Sequence, residues 1–211
     1  MNIRKTIALA LALAALEPAV SCADTLILDT GVPSGSSSVV LNKTDWYAVE
    51  FYATAGETID QLSAYLTPGV GGAGSTFTWD IYSSTAFTGA NRAAALYSTP
   101  GTFEINADDP WNHTTADWTA TTSGYYWVAL QVGTGGTAGL DLLTEASSTT
   151  GTVPASGFAY AGTNGRYSTT GAPAIGVEVS AVPLPAAVWL LGSGLMGFSL
   201  VGRRRRVEPA A

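Results

Sequence analysis

The chain has 211 residues, of which 16 are Asp or Glu against nine Lys or Arg, with one His and one Cys. Such an acidic balance repels nucleic acid and anionic membrane surfaces, so the folded part is expected to bind neither. One His and one Cys also exclude a multi-His or Cys/His zinc site.

From the N-terminus, Arg4 and Lys5 precede an apolar run from Ile7 to Leu16, and Ser21-Cys22-Ala23 supplies the small residues of a cleavage site. This order predicts a signal helix over residues 1–23, removed by signal peptidase after Ala23. The mature chain then starts at Asp24 and carries no cysteine, so export into an oxidising compartment imposes no disulfide. A lipobox ending at Cys22 is the competing reading; Ala19 stands where such a motif carries Leu.

Residues 24–181 are long enough for one domain with its own core, and their composition is that of β-structure. No long window repeats apolar residues at helical spacing. Period-two alternation appears instead. Tyr47, Val49, Phe51 and Ala53 share one face of a strand, with Trp46, Ala48, Glu50 and Tyr52 opposite. Phe77, Trp79 and Ile81 alternate in the same way with Thr76, Thr78, Asp80 and Tyr82, and Tyr126, Val128, Leu130 and Val132 with Tyr125, Trp127, Ala129 and Gln131. Further strands are predicted over 25–29, 39–41, 58–66, 95–97, 103–105, 117–121, 140–144, 157–161 and 175–180. Turns are expected at Pro68-Gly69, Gly71-Gly72, Pro100-Gly101, Ser123-Gly124, Gly135-Gly136 and Asn164-Gly165. Many short strands with Gly-rich turns point to an all-β fold, an antiparallel sandwich of jelly-roll kind. Between Asp24 and Val182 stand 14 acidic side chains and three basic ones, Lys43, Arg92 and Arg166. The balance there is −11, against −7 for the whole chain.

Catalytic chemistry finds little footing. His113 is the one available base, in the polar run Asp108-Asp109-Pro110-Trp111-Asn112-His113, which reads as a loop, and no GxSxG elbow occurs. Gly133-Thr134-Gly135-Gly136-Thr137 lacks the Lys of a phosphate-binding loop. Glu50, Glu57, Asp80, Glu104, Asp109 and Asp117 offer carboxylates for glycoside hydrolysis, but spacing alone pairs none of them. Asp108 and Asp109, with Asn106 or Asp117, have the oxygen chemistry of a calcium site, although Asp-Asp-Pro equally makes a turn. Asn42-Lys43-Thr44 and Asn112-His113-Thr114 match the glycosylation pattern. Trp111, Trp118, Tyr125 and Trp127 are candidate sugar-stacking residues, with core filling as the competing role. The expectation is a non-enzymatic protein without a required cofactor; a carbohydrate-binding module is the alternative, and a polysaccharide hydrolase or lyase the third reading.

At the C-terminus, Leu184 to Gly202 is a 19-residue stretch without a charge, and Arg203-Arg204-Arg205-Arg206 follows it directly. As a helix it spans roughly 28 Å, the thickness of a hydrocarbon core. The arginines place the far end on the cytoplasmic side, leaving residues 207–211 as a short cytoplasmic tail. Val182-Pro183-Leu184-Pro185 opens the stretch, and its prolines keep the backbone there extended and accessible.

Motif, helix, glycines (Gly192, Gly194, Gly197) and basic stop stand over residues 182–206 in the order of a PEP-CTERM sorting signal, which the stretch resembles in the variant with Val-Pro-Leu-Pro for Pro-Glu-Pro. Leu184 stands where the family's name motif carries Glu. The resemblance implies an exosortase as partner, a Gram-negative host that makes exopolysaccharide, and a membrane-anchored precursor that becomes a cell-surface or matrix protein. An ordinary stop-transfer anchor is the alternative. The runs Trp46 to Phe51, Ile81-Tyr82 and Gly124 to Leu130 resemble the choice-of-anchor surface domains, which implies a β-sandwich module.

Overall fold

Alternation in the sequence becomes two sheets in the computed structural model, which describes residues 24–33, 37–67, 74–84, 95–104, 109–132, 140–145, 151–162 and 165–182. Every regular element among them is a strand: β1 (Thr25–Asp29), β2 (Ser37–Leu41), β3 (Trp46–Ala53), β4 (Thr58–Thr67), β5 (Thr76–Ser83), β6 (Tyr97–Thr102), β7 (Trp111–Thr119), β8 (Gly124–Gln131), β9 (Leu140–Glu145), β10 (Gly157–Ala161), β11 (Tyr167–Ser168), β12 (Ala174–Ile175) and β13 (Val177–Val182). One sheet runs β1-β13-β4-β9-β12, with β7 beside β4 and β2 beside β9; the other runs β11-β10-β3-β8-β5-β6. All these pairings are antiparallel.

The inner faces follow from register. Phe158, Val49, Val128, Ile81 and Tyr97 stand side by side across five strands of one sheet. Leu28, Val179, Leu62 and Thr114 do so across four strands of the other. The two rows feed one hydrophobic core, a sandwich-like arrangement. Trp118 of β7 meets Tyr126 of β8 edge to face at 4.9 Å, and the Trp79 indole donates to Thr114 Oγ1 at 3.1 Å. Each large apolar side chain so buried contributes about 1.5–3 kcal/mol, which makes this core the main source of stability.

The six-stranded sheet also buries most of its second face. Trp46, Ala48, Trp127, Ala129 and Tyr82 are all nearly inaccessible there. Tyr167 lies against Trp46 and Tyr82, and Gln131 Nε2 donates to the Tyr82 and Tyr167 hydroxyls at 2.7 and 2.8 Å. That satisfies the polar atoms such a face would otherwise strand. At one end the face is open: Tyr52 and Tyr125 meet edge to face and are each 49% exposed.

The strand expected over 103–105 is not formed at Phe103 and Glu104, which follow the end of β6. Three further expectations need correction. Pro100-Gly101 is not a turn between two strands but lies inside β6, opposite Thr78 and Phe77. β6 is an edge strand, so the missing N–H of Pro100 costs no ladder bond. A Cβ on Gly101 would stand 2.5 Å from the Phe77 ring, so glycine lets the edge close over it. Secondly, Trp111 to His113 is not loop but the start of β7. Thirdly, the strand expected over 175–180 breaks at Gly176 into β12 on β9 and β13 on β4. There the Tyr65 and Pro33 side chains leave no room for a Cβ.

Residues 1–23, the turns at Pro68-Gly69, Gly71-Gly72 and Gly135-Gly136, and everything from Pro183 onward lie outside the described residues. Among the described residues no helix is long and apolar enough to cross a membrane; the 184–202 span falls outside them.

Candidate functional site: a cleft at the seam of the two sheets

β6 and β7 are edge strands, one from each sheet, and between them lies a cleft of about 360 Å³. Pro100, Gly101 and Thr102 of β6 line one side and Trp111 to Thr115 of β7 the other, with Glu104 and Asp109 between. Local bonds shape it. Asn112 is buried; its Oδ1 accepts the Glu104 N–H at 2.7 Å and its Nδ2 donates to the Pro110 carbonyl at 3.3 Å. Asp109 Oδ1 accepts the Trp111 N–H at 3.0 Å and so sets the entry of β7. Trp111 is half-buried, its ring perpendicular to the Tyr65 ring on β4 at 5.6 Å.

His113 links the cleft to the sheet. Its Nε2 is 3.1 Å from Asp109 Oδ2 and its Nδ1 is 2.8 Å from Ser63 Oγ. An acceptor carboxylate at Nε2 assigns that nitrogen the proton and leaves Nδ1 to accept from the Ser63 hydroxyl. The His113 bond, followed by the Trp111 N–H, holds the Asp109 carboxyl below the ordinary range. Register continues the line from His113 through Ser63 to Glu178 and Asp29. Burial first, then the Asp29 charge, pushes the Glu178 carboxyl up.

Ser63, His113 and Asp109 have the residue types of a hydrolase triad but not its working parts. The serine is on Nδ1 and the carboxylate on Nε2, the reverse of the usual order, and Ser63 is 1% exposed, out of a substrate's reach. The set orients His113 and Asp109 at the cleft wall. Nothing in the sequence announces it, since Ser63 and His113 meet only through the register of β4 and β7.

The remaining candidates scatter. Of the four aromatics proposed for sugar stacking, only Trp111 lines the cleft. Trp118 and Trp127 are buried, Trp118 on the inner face of β7 against Tyr126 and Trp127 on a strand covered on both faces, so both fill the core and lack the exposure that sugar stacking needs. Tyr125 is exposed but stands against Tyr52, away from the cleft. Among the carboxylates, Glu104 and Asp109 line the cleft. Asp80 is buried and accepts from the Ser98 hydroxyl; Glu50 accepts from Ser84 at 2.9 Å and Glu57 caps Thr54 N–H at 2.8 Å. Asp117 is exposed on β7. Asp108 lies outside the described residues, among which no group of three or more His, Cys, Asp or Glu gathers around a metal position. Both glycosylation-pattern asparagines are committed internally: Asn112 as above, and Asn42 accepts from Thr44 and Asp45 N–H while donating to Asp45 at 2.6 Å. Val182 closes β13 opposite Thr58, so the Pro motif starts at the last paired residue of the sheet. Asp24 is exposed immediately before β1. No protein-family model and no curated protein matches this chain.

Proposed function

We propose that this chain is an exported, non-enzymatic surface or matrix protein that grips extracellular polysaccharide through the seam cleft. The signal over residues 1–23 directs export from a Gram-negative cell. The 184–202 helix with Arg203–Arg206 holds the precursor in the membrane, and an exosortase cuts near Val182–Pro185 to pass the domain to the cell surface or matrix. The domain itself is a jelly-roll-like sandwich.

The observation that carries the binding reading is the cleft's lining. Half-buried Trp111 lines it together with the hydroxyl-bearing Thr102 and Thr115 and the acidic Glu104 and Asp109. An aromatic face with fixed polar partners is what a sugar ring needs: apolar cover for its C–H face and acceptors for its hydroxyls. A buried Ser63 supplies no nucleophile, and Asp109 is held ionised, so it favours accepting hydrogen bonds over donating a proton.

Affinity electrophoresis of the exported protein through the host's own polysaccharide tests this. Retardation abolished by Trp111→Ala is expected; an unretarded wild type, or release of new reducing ends from the polymer, would replace it with an inert or an enzymatic reading. Mass analysis of the C-terminus tests the sorting half, where a chain ending near Val182–Pro185 is expected and a retained Arg tail refutes it.

A further inference from the structure

Asp60 is the odd residue of β4. Ile59 faces Ala181 and Gln61 faces Ser180, and on the other side Ile59 faces Trp118 and Gln61 faces Thr115. Asp60 is thus the extra residue of a bulge against β13, while on the other side Ala116 and Asp117 of β7 stand against it alone, so it has no one-to-one partner on either strand. Its Oδ1 is sealed from solvent and receives no hydrogen bond. Among the described residues no cation pairs with it. Its charged neighbour is another acid, Asp24, whose carboxyl lies at hydrogen-bonding range; burial first, then the Asp24 charge, pushes the Asp60 carboxyl up. Two carboxylates side by side, one with a sealed bare oxygen, make an arrangement that lacks a cation.

The export processing proposed above creates one on Asp24. In the precursor the backbone nitrogen of Asp24 is a neutral amide joined to Ala23. Cleavage after Ala23 turns it into an α-ammonium on the same residue whose carboxyl already reaches Asp60. Resting on the export part of the proposed function, we infer that signal-peptide cleavage completes the fold: the new α-ammonium of Asp24 pairs with Asp60 Oδ1 and ties the start of β1 to the β4 bulge. Asp60 is then a docking site for the mature N-terminus, and a precursor that keeps its signal is less stable than the cut product.

The test uses the full exported chain, with its N-terminal residue identified by mass and the α-amine titrated by NMR after isotopic dimethylation. An opposite charge at contact raises an amine by about one pH unit or more. In the wild type the amine is expected above the ordinary range of about 7.7–8.0, and Asp60→Asn returns it there. Should Asp60→Asn fail to fold, one Ala inserted before Asp24 moves the amine away and is expected to give the same return. An ordinary amine in the wild type, or a raised one that neither change lowers, overturns the inference. A mature N-terminus other than Asp24 overturns it too while leaving the cleft reading intact; an uncut chain beginning at Met1 sinks the export reading itself, and glycan binding then still decides the cleft.

Discussion

Trp111 and Trp127 keep similar chemical company and meet opposite fates. Each stands on a strand beside a tyrosine and within reach of carboxylates: Tyr65, Asp109 and Glu104 for Trp111, Tyr82 and Glu50 for Trp127. Trp127 lies on β8, between β3 and β5 in the middle of its sheet, and is 4% exposed. Trp111 lies on β7, an edge strand facing the seam, where it is half-buried and lines the cleft. Residue type does not separate a ligand-facing indole from a structural one here. Strand and face together do: β8 is covered on both faces, whereas β7 is covered on one, so Trp118 on its inner face is buried against Tyr126 while Trp111 is not.

Truncation is the strongest way to break the contrast. Trp127→Ala is expected to cost about 3–5 kcal/mol, the loss typical of a buried indole, read from the midpoint of urea unfolding. Wild-type stability with glycan binding selectively lost would reverse the roles assigned to the two tryptophans. Gly101→Ala sharpens the cleft side of the comparison. Its Cβ would enter the Phe77 ring, so about 1–3 kcal/mol of destabilisation is expected, and Phe77→Leu in the same chain should recover part of it. A neutral Gly101→Ala would mean that the β6 wall is soft.

Away from both regions, Tyr160→Phe probes a polar tie. The Tyr160 hydroxyl donates to Asp45 Oδ1 at 2.6 Å and is the first cause of that carboxyl's lowered pKa, ahead of the Asn42 and Thr44 bonds. About 1 kcal/mol is expected at neutral pH after allowing for partial solvent screening. The folded pKa lies below the unfolded one. The contribution is therefore full above the unfolded value of about 3.9 and fades as pH falls through the folded one. Urea curves at pH 7 and pH 3 should show the gap between wild type and variant closing in acid; a gap that persists unchanged would point to packing instead. The smallest stability effect belongs to Trp111→Ala, about 1 kcal/mol or less from the lost Tyr65 contact. That variant should nevertheless abolish polysaccharide retention, and its stability by urea melt separates a binding defect from an unfolded one.

Much of the strand map was legible because period-two alternation is local. β1, β3, β5, β8 and β10 lie where Thr25–Asp29, Trp46–Ala53, Thr76–Ser83, Gly124–Gln131 and Gly157–Ala161 alternate or run apolar. β6 was hidden by Pro100-Gly101, a local turn signal overruled by a free edge and the Phe77 ring. The start of β7 was hidden because its inward positions, Asn112 and Thr114, are polar; they serve the Glu104 N–H and the Trp79 indole rather than an apolar core. Of the site, Trp111, Asp109, His113 and Glu104 were visible as residue types. Their convergence, and the partnership of His113 with Ser63, were not.

What the sequence by itself determined is what contiguous residues encode: β-structure, an acidic body, and an apolar stretch near each end beside basic residues. Composition and short periods set these without reference to distant residues. Only the tertiary structure decided which tryptophan lines a cleft, which serine meets the histidine and which carboxyl keeps a sealed oxygen without a hydrogen bond. Each depends on register between strands far apart in the chain, and a one-residue slip in pairing turns every side chain to the opposite face.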